Sequence, residues 1–158
     1  MRLTELLTQD RVALRHHQDG APPIDKVGAL RSLAKMLATG AHVDFAEVER
    51  VLAEREQLQS TGIGEGVAIP HGALPQLENQ FACLLIVPDG VEFVAIDGLK
   101  VNILFAVIGP KRATGEHLKT LARVSRLLRN KTFRDRLVSA PSSEAAYALI
   151  ESEEGESR

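Results

Sequence analysis

Residues 60–72 read Ser60-Thr61-Gly62-Ile63-Gly64-Glu65-Gly66-Val67-Ala68-Ile69-Pro70-His71-Gly72, an order that delivers a histidine from a strand end into a glycine-bounded turn. Val67, Ala68 and Ile69 spell a short apolar strand. Pro70 has no N–H to give a sheet ladder and ends it, and Gly72 frees the backbone to turn away. His71 is therefore expected at the rim. A neutral imidazole there keeps one lone pair for nucleophilic attack while its other nitrogen fixes the ring's orientation. A histidine simply packed at a strand end is the competing reading of these residues.

Outward from this stretch, helical and strand patterns alternate without an internal repeat or a low-complexity linker, which is α/β patterning. Leu3, Leu6 and Leu7 suit a short opening helix, and Val12-Ala13-Leu14 a small strand. Residues 25–39 place Val27, Leu30, Leu33, Ala34 and Leu37 at helical spacing, with Thr39-Gly40 as the stop. Asp44 and Glu47 resemble a capping box for a second helix ending near Arg55. Strand-like runs follow at 67–69, 81–87, 91–94 and 101–108, punctuated by Pro88-Asp89-Gly90 and Asp97-Gly98. Their continuous apolar character predicts burial on both faces. A helix over 115–129 is expected to bury Leu118, Leu121, Ala122, Ser125 and Leu128, with shorter helices near 131–138 and 143–151. Residues 151–158 read as a polar, acidic tail that frays.

Composition bounds the function. With 158 residues, 44% of them hydrophobic, the chain suffices for one domain with a true core, which the absence of tryptophan makes mainly aliphatic. Cys83 is the single cysteine, inside an apolar run, and reads as a buried hydrophobe in a reducing, cytoplasmic setting. No apolar run approaches the ~20 residues of a membrane span, and Glu5 and Asp10 stand too early for a signal peptide. A net charge of −2 gives no reason to expect nucleic acid or an anionic membrane as partner.

Two further residues carry chemistry. Thr114 can cap the third helix and place His117 in its first turn, where free N–H groups and the positive dipole end favour an anion. Arg55 offers a planar, permanently charged fork suited to phosphate oxygens. Each has a plain alternative, a surface histidine and a solvated helix-end arginine. Gly62, Gly64 and Gly66 do not make a nucleotide loop, since no Gly-Lys-Ser/Thr follows them; they read as turn glycines whose N–H groups could also face a phosphate. Glu65 either orients a histidine or is an exposed loop carboxylate. His16-His17 lacks a third metal ligand at useful spacing. The basic stretch 111–136 reads as a solvated face, with docking to an acidic partner as the lesser option.

Arg55-Glu56, Ser60-Thr61-Gly62, Gly64 to His71, Phe93-Val94-Ala95-Ile96-Asp97-Gly98, Val101 to Pro110 and Gly115-Glu116-His117-Leu118 stand in one order along the chain. In that order they resemble the fructose/mannitol-class enzyme IIA domains of the bacterial phosphotransferase system. With Arg123 to Arg129, the likeness is greatest to the stand-alone nitrogen-type enzyme IIA, and it covers residues 1–150. It implies a single α/β domain whose central mixed β-sheet is flanked by helices on both faces. It further implies a phosphohistidine carrier in which His71 accepts the phosphoryl group and His117 and Arg55 stabilise it, with no cofactor and no metal. The implied partners are a histidine phosphocarrier protein as donor and regulatory proteins or an enzyme IIB as targets, with no direct membrane insertion. A sugar-transport enzyme IIA, a binding module acting by contact alone, and a hydrolase or zinc site using both histidines are the alternatives; Ala73 stands where nitrogen-type members often have lysine.

Overall fold

The computed structural model describes residues 2–16 and 22–156; His17 and residues 157 and 158 of the expected tail lie outside these. Six strands form one mixed sheet: β1 (Val12–Leu14), β2 (Gly62–Gly64), β3 (Val67–Ala68), β4 (His71–Leu74), β5 (Phe81–Val91) and β6 (Val101–Pro110). The order across it is β1-β5-β6-β3-β2, with β4 also beside β6. β1 runs parallel to β5, β5 antiparallel to β6, and β3 and β4 both parallel to β6. The helices are α1 (Lys26–Ala41), α2 (Phe45–Leu58), α3 (Thr114–Leu127), α4 (Lys131–Val138) and α5 (Ser143–Glu156).

The two long strands explain the layering, because their side chains alternate between faces. Cys83, Leu85, Val87, Leu104, Ala106 and Ile108 point into a cluster with Leu33 and Leu37 of α1 and Val48 and Leu52 of α2. Ala82, Leu84, Ile86, Ile103, Phe105 and Val107 point into the opposite cluster with Val124, Phe133 and Ile150 from α3, α4 and α5. Burial on both faces follows from these runs. The α/β class and the helix-covered mixed sheet are what the sequence implied.

Several local readings change. The opening helix is two single 3-10 turns, Leu3–Glu5 and Gln9–Arg11. α1 runs through Gly40 and stops at His42 in the left-handed region, φ 56°; Gly40 instead gives room to Arg11, whose Nη1 would lie 2.7 Å from a Cβ there. Asp44 stands before α2 without a side-chain cap, and the Glu47 carboxylate accepts instead from the Gln76 amide. Pro88-Asp89-Gly90 is absorbed into β5 as an irregularity between Ile86 and Val91, with Gly90 at φ 84°. Thr114 does not cap α3, whose N-cap is Ala113; the Thr114 hydroxyl donates back to the Lys111 carbonyl. The buried stripe of α3 is Thr120, Val124 and Leu128, while Leu118 is 61% exposed.

Up to Glu156 the acidic stretch expected to fray is helical. α5 continues to Glu156, and buried Glu154 accepts from the N–H groups of Leu3 at 2.7 Å and Thr4 at 3.1 Å, with Arg123 Nε at 3.5 Å. Composition marked this stretch as solvated, but one carboxylate satisfies the N–H groups of the first 3-10 turn. Glu154→Ala leaves those donors unpaired, and a charge-assisted bond carries about 1.5–3 kcal/mol. Urea denaturation should show a loss of about 2–4 kcal/mol; a loss below about 1 kcal/mol would mean that water replaces the carboxylate freely.

Candidate active site

The site grows from an interruption in the sheet. β3 and β4 are two pieces of one strand beside β6, separated by Ile69 and Pro70. Pro70 gives no N–H to the ladder, yet its carbonyl accepts from Val107 N at 3.0 Å, and Ile69 N donates to Thr61 O at 3.0 Å. The Ile69 carbonyl is thereby directed at His71, whose Nδ1 lies 2.7 Å away. A carbonyl only accepts, so Nδ1 carries the proton and Nε2 keeps its lone pair. His71 is therefore the first residue of β4, paired with Val107, and not the tip of a turn.

Gly72 has a different duty from the one its sequence context suggests. It lies within β4 with no positive φ, and a Cβ there would come within 2.2 Å of Val51 Cγ1. Its bare backbone lets α2 approach β4 closely enough for Arg55 to reach the histidine. Arg55 Nε donates to His71 Nε2 at 3.2 Å, and Nη1 donates to the Gln59 carbonyl at 2.8 Å, closing the C-terminal end of α2. The guanidinium thus sits at the lone pair of Nε2.

His117 arrives from the opposite layer. It heads the stripe that continues through Thr120 and Val124, so the first turn of α3 carries it half-buried against β6. Its ring centroid is 5.6 Å from that of His71, tilted by 55°. Burial pushes the pKa of both rings below the usual histidine value; for His71 the Ile69 carbonyl acts in the opposite sense and Arg55 in the same one, and His71 itself adds to the effect on His117. Near neutral pH both rings are uncharged. Arg55, His71 and His117, named from separate parts of the sequence, thus meet at one place.

A buried network behind Arg55 escaped the sequence reading. Glu56 accepts from Thr61 N at 3.0 Å and from Thr61 Oγ1 at 2.5 Å, and pairs with Lys26 Nζ at 2.8 Å. Lys26 also donates to the Phe93 carbonyl at 2.9 Å and lies 4.5 Å from that ring's centroid. The Arg55-Glu56 pair held the signal: neighbours on a helix diverge by about 100°, so one side chain faces outward and the other inward.

Other expectations are displaced. Glu65, at φ 58°, faces Arg134 at 3.4 Å and does not touch either site histidine. Two N–H groups of the glycine turn are directed away from His71: Gly62 N donates to Ser60 Oγ and Glu65 N to Asp97 Oδ2. Arg134, counted in the solvated basic face, is buried and donates to the carbonyls of Leu128 and Arg129.

Over residues 20–153 the chain matches the family model described as phosphoenolpyruvate-dependent sugar phosphotransferase system, EIIA 2, and it belongs to that family. Among its relatives, the nitrogen regulatory protein of Bradyrhizobium diazoefficiens is 37% identical over 125 residues, 79% of this chain and 82% of that one. The nitrogen regulatory protein of Pseudomonas aeruginosa is 34% identical over 95% of both chains. The crystal structure of nitrogen regulatory protein IIA-Ntr from Neisseria meningitidis superposes with a TM-score of 0.83 at 30% identity, covering 94% of this chain and 98% of that one. The chain is thus a phosphotransferase-system component with nitrogen-regulatory and sugar-specific kin. No helix among the described residues is long and apolar enough to cross a membrane.

The lowered pKa of His71 and of His117 has a linkage consequence. The unfolded rings titrate near 6.5 and the folded ones lower, so below that value the unfolded chain binds more protons and stability falls. It is fully present above about pH 6.5 and is lost as pH drops through the folded values. Chemical denaturation from pH 7.5 to 5 should therefore show a shallower decline for His71→Gln than for the parent. Equal slopes would mean that the ring titrates alike in both states.

Proposed function

We propose that this protein is a histidine phosphocarrier of the nitrogen-type regulatory branch, and that His71 Nε2 receives the phosphoryl group from the phosphohistidine of a small carrier protein. The observation that carries this reading is the fixed ring: Nδ1–H is held by the Ile69 carbonyl, and the Nε2 lone pair faces Arg55. A neutral imidazole so held is a nucleophile with its attack direction set. The donor P–N bond breaks as the new P–N bond to Nε2 forms; the donor nitrogen keeps the electron pair, and His71 retains its Nδ1 proton. No kinase machinery is required, because the donor is already a phosphoramidate.

Arg55 and His117 then act on the transferred group. As phosphorus approaches Nε2, the guanidinium exchanges its contact with the nitrogen for phosphoryl oxygens and neutralises their spread charge. His117, one ring away, supplies a second donor from the other side. The regulatory assignment draws on the nitrogen-regulatory relatives, which match at 34–37% identity. Under it, a gain of roughly −1.5 to −2 charge on His71 changes which regulatory partner the surface accepts.

The experiment supplies enzyme I, its histidine phosphocarrier and labelled phosphoenolpyruvate. One acid-labile, base-stable phosphate should be incorporated, and none by His71→Ala. Arg55→Ala and His117→Ala should keep the circular dichroism spectrum and slow transfer, Arg55→Ala by roughly 10²–10³-fold, the effect of one preorganised donor on developing charge. Full labelling of His71→Ala would remove His71 as the acceptor.

A further inference from the structure

Among the described residues, three buried side-chain atoms lack a hydrogen-bond partner: Arg2 Nε, Gln80 Oε1 and His117 Nδ1. Two of the three flank a single glycine. A Cβ on Gly109 would lie 3.0 Å from Gln80 Cγ and 3.5 Å from His117 Nδ1. Gln80 immediately precedes β5, where Phe81 is paired with Ile108 across the sheet, so the register brings Gln80 opposite Gly109. The α3 first turn lowers His117 onto the same spot.

The two orphaned atoms are chemically complementary. A carboxamide oxygen accepts only, and a ring nitrogen becomes a donor when it holds the proton. Leaving both buried and unpaired is costly, and the terminal torsion of glutamine is broad enough for a small rotation to join them. We propose that Gln80 is a positioning residue for His117: its Oε1 takes the Nδ1–H, either directly or through one bridging water, and so fixes the ring with Nε2 turned towards His71. Resting on the reading of His71 as the phosphoryl acceptor, this gives His117 a defined second state. When the phosphoryl group arrives, Nε2 takes a proton from solvent and donates it to a phosphoryl oxygen, while Gln80 continues to hold the Nδ1 proton. The ring is then a cation with both donors satisfied. Without the acceptor, the buried Nδ1 could not keep its proton as Nε2 gains a second.

The small residue at 109 belongs to the same device. Any side chain there would stand between Gln80 and His117, so the glycine serves close approach and not a turn.

The test reads the tautomer directly, by ¹⁵N nuclear magnetic resonance of the full chain with labelled histidines. Unphosphorylated protein should show His117 protonated at Nδ1. Gln80→Leu should move the proton to Nε2, whereas Gln80→Glu, which retains an acceptor, should hold it at Nδ1. In transfer assays Gln80→Leu should lose roughly three- to tenfold in rate, the worth of one neutral hydrogen bond, with the apparent KM for the donor unchanged. In a His117→Ala background the same substitution should cost nothing further. An Nε2–H tautomer in the parent, or an unchanged tautomer in Gln80→Leu, overturns the proposal; the parent spectrum decides even if that variant fails to fold. Failure of His71 to label would overturn the phosphocarrier reading and leave the tautomer result standing.

Discussion

The hydrogen bond from His71 Nδ1 to the Ile69 carbonyl is the constraint on which the site depends, and the backbone's own accounting produces it. Every buried carbonyl needs a donor. In an unbroken strand Ile69 would find one across the ladder, but the missing N–H of Pro70 splits the strand into β3 and β4. Val107 N turns to the Pro70 carbonyl, Ile69 N to Thr61, and the Ile69 carbonyl is left for the histidine two residues on. A ring that could otherwise hold its proton on either nitrogen is thereby committed to one.

That commitment matters only if the facing groups are held as firmly, and two elements from opposite layers do this. On the α2 side, close approach at Gly72 brings in Arg55, and buried Glu56 ties the end of α2 to Thr61 and to Lys26 at the start of α1. A buried carboxylate with several donors and a cation is expensive to disturb, since removing one partner leaves charge unpaired in a poorly solvated place. The network thus fixes the spacing between α2 and the strand that carries His71. On the other side, the stripe of α3 that buries Thr120 and Val124 also dictates how deep His117 sits.

Legibility followed periodicity. The two long apolar runs gave their strands and two-sided burial, because alternation on a sheet buried on both faces leaves no polar gaps to misread. The motif from Ser60 to His71 together with Arg55 and His117 pointed to three side chains that do meet. What failed were features set by distant contacts. Leu118 looked like core by spacing, but the helix is rotated to bury Thr120 and present His117 to the site. Glu154 looked like tail, yet it satisfies N–H groups at the other end of the chain. Gly40 and Gly72 looked like punctuation, and each is instead a place where a neighbour comes too near for a Cβ. Gln80 carried no signal at all, since nothing in its sequence surroundings reveals that it lies opposite Gly109.

The charge state of the assembled site gives the proposed switch its contrast. Before transfer both histidines are neutral, Glu56 is offset by Lys26, and the Arg55 guanidinium is the charged group in contact with His71. Phosphorylation would add roughly −1.5 to −2 charge at that one point, of which the proton taken up by His117 offsets about one. Burial keeps the two states distinct: had His71 and His117 been fully solvated, a fraction of each would already be cationic near pH 6.5, and proton uptake by His117 would no longer mark the phosphorylated state. Under the proposed phosphocarrier reading, the lowered pKa of the two rings, which burial produces, keeps the His71 lone pair free for attack and leaves His117 uncharged until the phosphoryl group arrives.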